Sequence, residues 1–294
     1  MQLPAPLLRH NPNCHKNDFG HVLILAGSKR MLGASALACT AAMRSGAGLV
    51  TLGIAKSLNM TAQKKISSTV MTLPLNETKE QSLSIKAYPD IKKESSRYNA
   101  IALGPGMSQD PLTKKLLLKI ISSLTAPMVI DADALNAITG NLNILRKTNS
   151  IKILTPHPGE MNRLIKRSVA FIEDHRKTVA KDFAKNYQCI LVLKGHRTVV
   201  ASPQGKVYVN DTGNAGMAKA GMGDALTGII AALLAQDIDS FEAAKIGVFL
   251  HGKAGDMAAR QKGKTSLIAT DLIESLPTAM RAIQQSMPKK RSTL

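Results

Sequence analysis

Short apolar runs alternate with helical patterns along almost the whole chain. Apolar runs at residues 22–26, 49–54, 100–103, 128–130, 151–154 and 189–193 each close on a turn rich in Gly, Pro, Asp or His. Helical patterns fill residues 34–44, 112–124 and 171–186, the second with Leu or Ile at 112, 116, 117, 120, 121 and 124 on one face. Such a chain has few solutions. Strands joined by crossover helices build βαβ units, which give a mostly parallel sheet covered on both faces. Residues 198–201 and 206–209 read instead as a hairpin around Pro203-Gln204-Gly205. Residues 241–260 and 271–285 read as further helices. Residues 55–98 are polar, with a short apolar piece at 70–75, and carry the weakest pattern.

The turn residues fall at the carboxyl ends of the expected strands, where open α/β sheets bind their ligands. Gly27, Gly104, Gly106, Asp131, His157 and Lys194 could therefore line one crevice with Gly223 and Asp224. Each has a plainer reading. Gly104-Pro105-Gly106 lets a ligand approach the backbone, or is an ordinary turn. Asp131 could orient a ligand hydroxyl or hold Mg²⁺ through water; Asp133 reads better as a helix N-cap. In Thr155-Pro156-His157-Pro158-Gly159-Glu160 two prolines stiffen the loop that presents one histidine, and Glu160 suits the first turn of the next helix. Lys194-Gly195-His196-Arg197-Thr198 could meet a phosphate, or is an exposed turn between strands.

The stretch 210–236 joins a Gly-, Asn- and Ala-rich half to a helix whose apolar face is Ala225, Leu226, Ile229, Ile230, Leu233 and Leu234. Its junction is Gly221-Met222-Gly223-Asp224. Glycines before a helix N-terminus leave N–H groups free to point at an anion, and the helix dipole favours negative charge there. The same dipole should lower the pKa of Asp224.

Composition narrows the function. Hydrophobic residues make up 44% of 294 and aromatics 3%, so the core is aliphatic. Lys and Arg number 39 against 20 Asp and Glu, a net charge of +19. The basic residues are scattered, only Lys289-Lys290-Arg291 is a dense run, and aromatics for base stacking are few. That favours a solvated basic surface over nucleic-acid binding. Cys14, Cys39 and Cys189 form no CxxC or Cys/His pattern, which points to a cytoplasmic setting without disulfides. The N-terminus has no signal-type apolar core, and the apolar stretch 225–235 is too short to span a bilayer. Neither a repeat nor a linker divides the chain, so one domain is expected over residues 1–294, with a basic tail from about residue 287.

Seven stretches add a resemblance. They are His15-Lys16 with Gly20-His21-Val22-Leu23-Ile24-Leu25-Ala26-Gly27-Ser28, Arg44-Ser45-Gly46-Ala47-Gly48-Leu49-Val50-Thr51, Leu103-Gly104-Pro105-Gly106, Ile130-Asp131-Ala132-Asp133-Ala134-Leu135, Leu154-Thr155-Pro156-His157-Pro158-Gly159-Glu160, Leu193-Lys194-Gly195, and Thr212-Gly213-Asn214 through Gly221-Met222-Gly223-Asp224. In this order, from about Cys14 to about Pro277, they resemble the ADP/ATP-dependent NAD(P)H-hydrate dehydratase family, a ribokinase-like branch.

The resemblance implies an α/β fold, a three-layer α/β/α sandwich with a mostly parallel central sheet. It implies a lyase of metabolite repair: the S epimer of NADHX or NADPHX is dehydrated to NAD(P)H, and ADP gives AMP and phosphate. Bacterial single-domain members usually use ADP and eukaryotic members ATP. Mg²⁺ is expected with the nucleotide rather than in a protein cage. A homotetramer is implied, as is a separate epimerase, since no such domain fits before Val22. No nucleic-acid or membrane partner is implied. Carried over by position, Ala34, Gly106, His157 and Asp224 contact the hydrated dinucleotide. Lys194, Gly195, His196, Arg197, Thr198 and Gly223 contact the adenine nucleotide, and Asp224 is the base. Three positions depart from the family pattern. Asn17 replaces a common Gly, Ala215 a frequent Pro, and Ala220 the first Gly of Gly-Gly-x-Gly-Asp. The methyl of Ala220 crowds phosphate approach at that residue.

Two other functions remain alternatives. A ribokinase-like kinase of a small alcohol or vitamin precursor would employ the same Asp224 and helix end but release a phosphorylated product. A nucleic-acid-binding protein would use the charge, which explains none of the seven stretches.

Overall fold

The computed structural model describes residues 4–7 and 12–285, so Lys289-Lys290-Arg291 and the tail from about residue 287 lie outside the described residues. The strands are β1 (His21–Leu25), β2 (Leu49–Ala55), β3 (Met71–Leu75), β4 (Ala100–Leu103), β5 (Met128–Ile130), β6 (Lys152–Leu154), β7 (Ile190–Leu193), β8 (Val199–Ala201) and β9 (Val207–Val209). They form one sheet in the order β3-β2-β1-β4-β5-β6-β7-β8-β9. Pairing is parallel from β3 to β7 and antiparallel across β7, β8 and β9. The strand order reverses between β1 and β4, which opens a crevice at their carboxyl ends.

The helices are α1 (Leu32–Arg44), α2 (Asn59–Lys65), α3 (Tyr88–Glu94), α4 (Pro111–Ser123), α5 (Ala132–Ile138), α6 (Pro158–Ile165), α7 (Val169–Asp174), α8 (Arg176–Tyr187), α9 (Met222–Ala235), α10 (Ser240–Lys262) and α11 (Ala269–Gln285). Alternate strand residues divide the core. Val22, Ile24, Val50, Leu52, Ala100 and Ala102 face one side, with α1, α2, α9, α10 and α11. Leu23, Leu25, Ile101 and Leu103 face the other, with α3 to α8. The period of two along each strand thus builds both interfaces of a three-layer, ribokinase-like sandwich.

Three expectations change. The helix at 225 is enclosed on nearly all sides rather than on one face: Thr227, Gly228, Ala231 and Ala232 are buried as well. Gly228 lets α1 come close, since a Cβ there would lie 2.1 Å from the Ala38 carbonyl oxygen. Residues 171–186 form two helices, broken at His175. The polar segment 55–98 supplies α2, the edge strand β3 and α3; Pro74 sits on that edge, where a missing N–H is tolerated. Among the described residues no helix is long and apolar enough to cross a membrane.

Candidate active site

The carboxyl ends of β5 and β7 meet through Asp131 and Lys194. Asp131 is 1% exposed. Its Oδ1 accepts from Lys194 Nζ at 2.7 Å and its Oδ2 from Thr227 Oγ1, on α9, at 2.9 Å. Lys194 Nζ also lies 3.7 Å from Glu160 Oε2, in the first turn of α6. Burial opposes the charge on Lys194, but Asp131 and Glu160 outweigh it and raise its pKa. A buried ion pair holds only when its partners are this well satisfied.

Asp131 occupies the N-cap position of α5, without a side-chain cap bond. The expectation that Asp133 is the cap is therefore corrected. Asp133 lies inside the first turn, and its Oδ2 accepts from the Ser108 N–H at 2.8 Å. Ser108 (φ +77°) and Ala132 (φ +48°) flank this contact in left-handed backbone, a conformation that costs about 1–3 kcal/mol outside glycine.

Helix α9 begins beside this pair. Its N-cap is Gly221, at φ +88°, and no side chain caps it. The left-handed demand of the turn falls on Gly221 and not on Ala220, so alanine at 220 adds no backbone strain. A Cβ at Gly223 would lie 3.3 Å from Lys194 Nζ and 3.7 Å from Asp131 Oδ2, so the ion pair lies against the helix end. The Asp224 carboxylate has no hydrogen-bond partner among the described residues. Its pKa is raised to about 6, by burial first and the charge of Asp131 next, with Lys194 opposing. The sequence expectation was a lowered value; desolvation and neighbouring carboxylates outweigh the helix dipole.

On α6, His157 and Glu160 form a capping box. His157 Nδ1 accepts from the N–H groups of Gly159 (3.0 Å) and Glu160 (3.3 Å), while Glu160 Oε2 accepts from the His157 N–H at 2.8 Å. The Nδ1 lone pair is spent, so the neutral ring carries its hydrogen on Nε2. Burial lowers the pKa of His157, and its side chain remains 51% exposed. His157 thus offers the cleft a donor rather than a base.

Ala34 and Gly106 are neighbours. Gly106 has φ +62°, and a Cβ there would meet Met31 Cβ at 2.6 Å and Ala34 Cβ at 3.1 Å. A Cβ on Gly104 would meet the Asp131 carbonyl oxygen at 1.8 Å. Gly195 (φ +138°) and Arg197 (φ +56°) turn the chain from β7 into β8, and Thr198 Oγ1 donates to the Gly195 carbonyl at 3.0 Å. His196 and Arg197 are exposed.

The structure therefore brings together Asp131, Glu160, Lys194, Gly223 and Asp224, with His157 beside Glu160 and Gly106 beside Ala34. Sequence reasoning missed Thr227 and Arg176. Thr227 stands three positions after Asp224, a spacing that places both on one side of a helix. The Arg176 guanidinium donates to the carbonyls of Leu193 (2.7 Å) and Lys194 (3.0 Å) and to Glu173 (2.9 Å), anchoring the 194–198 turn. Nothing local in the sequence announces that tertiary contact. Two cavities of about 390 and 470 Å³ lie elsewhere, at the amino ends of β6 and β7 and between α10 and α11. Among the described residues no His, Cys, Asp and Glu cluster could hold a metal ion alone.

A family model described as NAD(P)H-hydrate dehydratase matches residues 22–278. The chain is 42% identical to a bifunctional NAD(P)H-hydrate repair enzyme of Moorella thermoacetica, over 96% of this chain and 53% of that protein. It is 35% identical to an ADP-dependent (S)-NAD(P)H-hydrate dehydratase of Neisseria meningitidis, over 98% of this chain and 94% of that one. A crystal structure of the ADP/ATP-dependent NAD(P)H-hydrate dehydratase of Bacillus subtilis, co-crystallised with ATP and Mg²⁺, aligns with a TM-score of 0.80 at 31% identity, covering 94% of each chain. The chain spans about half the length of the first curated relatives it matches.

Proposed function

The chain belongs to the NAD(P)H-hydrate dehydratase family, and from that premise we propose that it dehydrates the S epimer of NADHX or NADPHX to NAD(P)H, consuming ADP to give AMP and phosphate. The observation that carries this reading is Asp224. It is a carboxylate without an internal partner, at an uncapped helix N-terminus, with its pKa raised to about 6. A base is most effective when its pKa lies near the working pH.

Hydroxide is a poor leaving group, and the site suits its conversion to a better one. Asp224 takes the proton of the hydrate hydroxyl as that oxygen attacks the terminal phosphoryl group of ADP, and AMP departs. The N–H groups at Met222, Gly223 and Asp224 face the charge that develops on the phosphoryl oxygens. Phosphate then leaves carbon, the adjacent C–H loses its proton, and the ring double bond returns. Gly106 and Ala34 border the dinucleotide, and His157 donates Nε2–H to it. Lys194 to Thr198 and Gly223 border the nucleotide. Asp131, Glu160 and Asp224 act on the ammonium of Lys194, and this negative surplus would favour a divalent ion brought in with the nucleotide phosphates. Mg²⁺ carried by the nucleotide would neutralise phosphate charge.

Purified protein with NADHX and ADP, or ATP in parallel, tests the reading. Return of reduced-nicotinamide absorbance, with AMP formed from ADP, is the expected result. Phosphorylation of a small alcohol without any return of absorbance would replace the dehydratase by a kinase.

A further inference from the structure

Helix α10 has no part in the chemistry above, yet one of its faces is shaped to the 212–217 loop and its His251 reaches the first residue of α9. Asp256 accepts from the Gly213 N–H at 3.0 Å and from Asn214 Nδ2 at 2.9 Å. The Phe249 carbonyl accepts from Thr212 Oγ1 at 3.0 Å. A Cβ on Gly252 would lie 2.2 Å from Thr212 Oγ1, and one on Gly255 would lie 2.3 Å from Met217 Sδ. A glycine inside a helix costs about 1 kcal/mol relative to alanine. Two of them within His251-Gly252-Lys253-Ala254-Gly255-Asp256 therefore mark a close approach that the fold requires.

On the same helix, His251 Nε2 lies 2.9 Å from the carbonyl oxygen of Met222, the first residue of α9. A carbonyl only accepts, so Nε2 carries the hydrogen and donates. Burial pushes the His251 pKa down to about 4, so the ring stays neutral near pH 7. The Met222 carbonyl and the Gly223 N–H belong to one planar trans peptide and point in opposite directions. Whatever holds that carbonyl also aims that N–H.

We propose that His251 is a positioning residue of the phosphoryl site: by holding the Met222 carbonyl it fixes the peptide plane whose N–H, on Gly223, faces the transferring phosphoryl group. His251 acts through backbone and touches no reactant. Its effect falls on the transition state, where donor aim matters most, and little on ground-state nucleotide binding.

The inference rests on the reaction proposed above, so the wild-type protein is assayed first. No return of absorbance there would remove that reaction itself. With the wild type active, His251→Leu lowers kcat about 10- to 100-fold and moves the KM for ADP less than about threefold, the pattern of a misaimed donor. His251→Gln, whose amide reaches the place of Nε2 and keeps a donor, stays within about fivefold of wild-type kcat. Wild-type kcat in the Leu variant overturns the proposal. So does an equal loss in Leu and Gln variants that melt like wild type, which would mark a packing role. If the Leu variant does not fold, His251→Asn, with the same amide on a shorter arm, takes its place. Asn falling well below Gln supports the proposal, and equal kcat in the two overturns it.

Discussion

Lys194 Nζ donates to Asp131 Oδ1 at 2.7 Å across 63 positions of sequence. This contact joins the ends of β5 and β7 and lies against the start of α9. It also sets the charge of the cleft. Lys194 is committed to Asp131 and to Glu160, so Asp224 receives its influence without a direct bond. The result is a carboxylate near a cation that still holds its proton up to about pH 6.

The first prediction concerns pH. Asp224 must be ionised to accept a proton, so kcat/KM rises with pH through a limb centred at about 6. A profile of initial rates against pH checks this. A limb centred near the ordinary carboxylate value would remove Asp224 from the role of base. Asp224→Asn abolishes turnover and keeps most nucleotide affinity.

The same group weighs on stability. Its folded pKa lies above its unfolded value of 3.8, so the folded state binds the extra proton. Asp224 therefore imposes no penalty below pH 3.8, and a penalty that grows to its full size above about pH 6. Asp224→Asn should stabilise the protein by about 2–3 kcal/mol at pH 7.5 and hardly at all at pH 4, as thermal or urea unfolding at the two pH values will show.

Removing the Lys194 ammonium separates two effects. Lys194 lowers the Asp224 pKa, so Lys194→Met moves the activity limb above 6. The same change leaves Asp131 buried without its counter-ion and destabilises the fold by about 3–5 kcal/mol. An unmoved limb in a folded variant would contradict the charge coupling.

Two glycines give a contrast in packing. Gly228→Ala places a methyl 2.1 Å from the Ala38 carbonyl oxygen and forces α1 from α9. It should cost about 3 kcal/mol. At Gly33, also helical, a Cβ meets nothing within 4 Å. Gly33→Ala should be neutral or stabilising by up to about 1 kcal/mol. Denaturant midpoints of the two variants measure the difference.

The sheet was legible because buried strands and their terminal turns are local. The runs 100–103 and 128–130 coincide with β4 and β5, and Asp131, His157 and Lys194 stand where strand ends put them. What stayed hidden depends on distant partners. Arg176 sits where a continuous helix was expected, and its guanidinium holds carbonyls of Leu193 and Lys194 that no periodicity reveals. Asp133 has the composition of a cap, but its carboxylate went to Ser108. The helix dipole at Asp224 can be read from sequence, whereas the burial that overrules it exists only after folding. His251 lies inside a helical pattern, and its contact with the Met222 carbonyl exists only after α9 and α10 pack together.

Helix α9 starts on Gly221 and carries no side-chain cap. Most helices close that end with their own serine, threonine or aspartate. Under the proposed reaction, a nucleotide phosphate on the first turn would serve as reactant and as terminal cap together. Resistance to heat and proteolysis should follow the concentration of adenine nucleotide by mass action. The uncapped first turn of α9 would then tie the stability of the fold to the ligand of its own reaction.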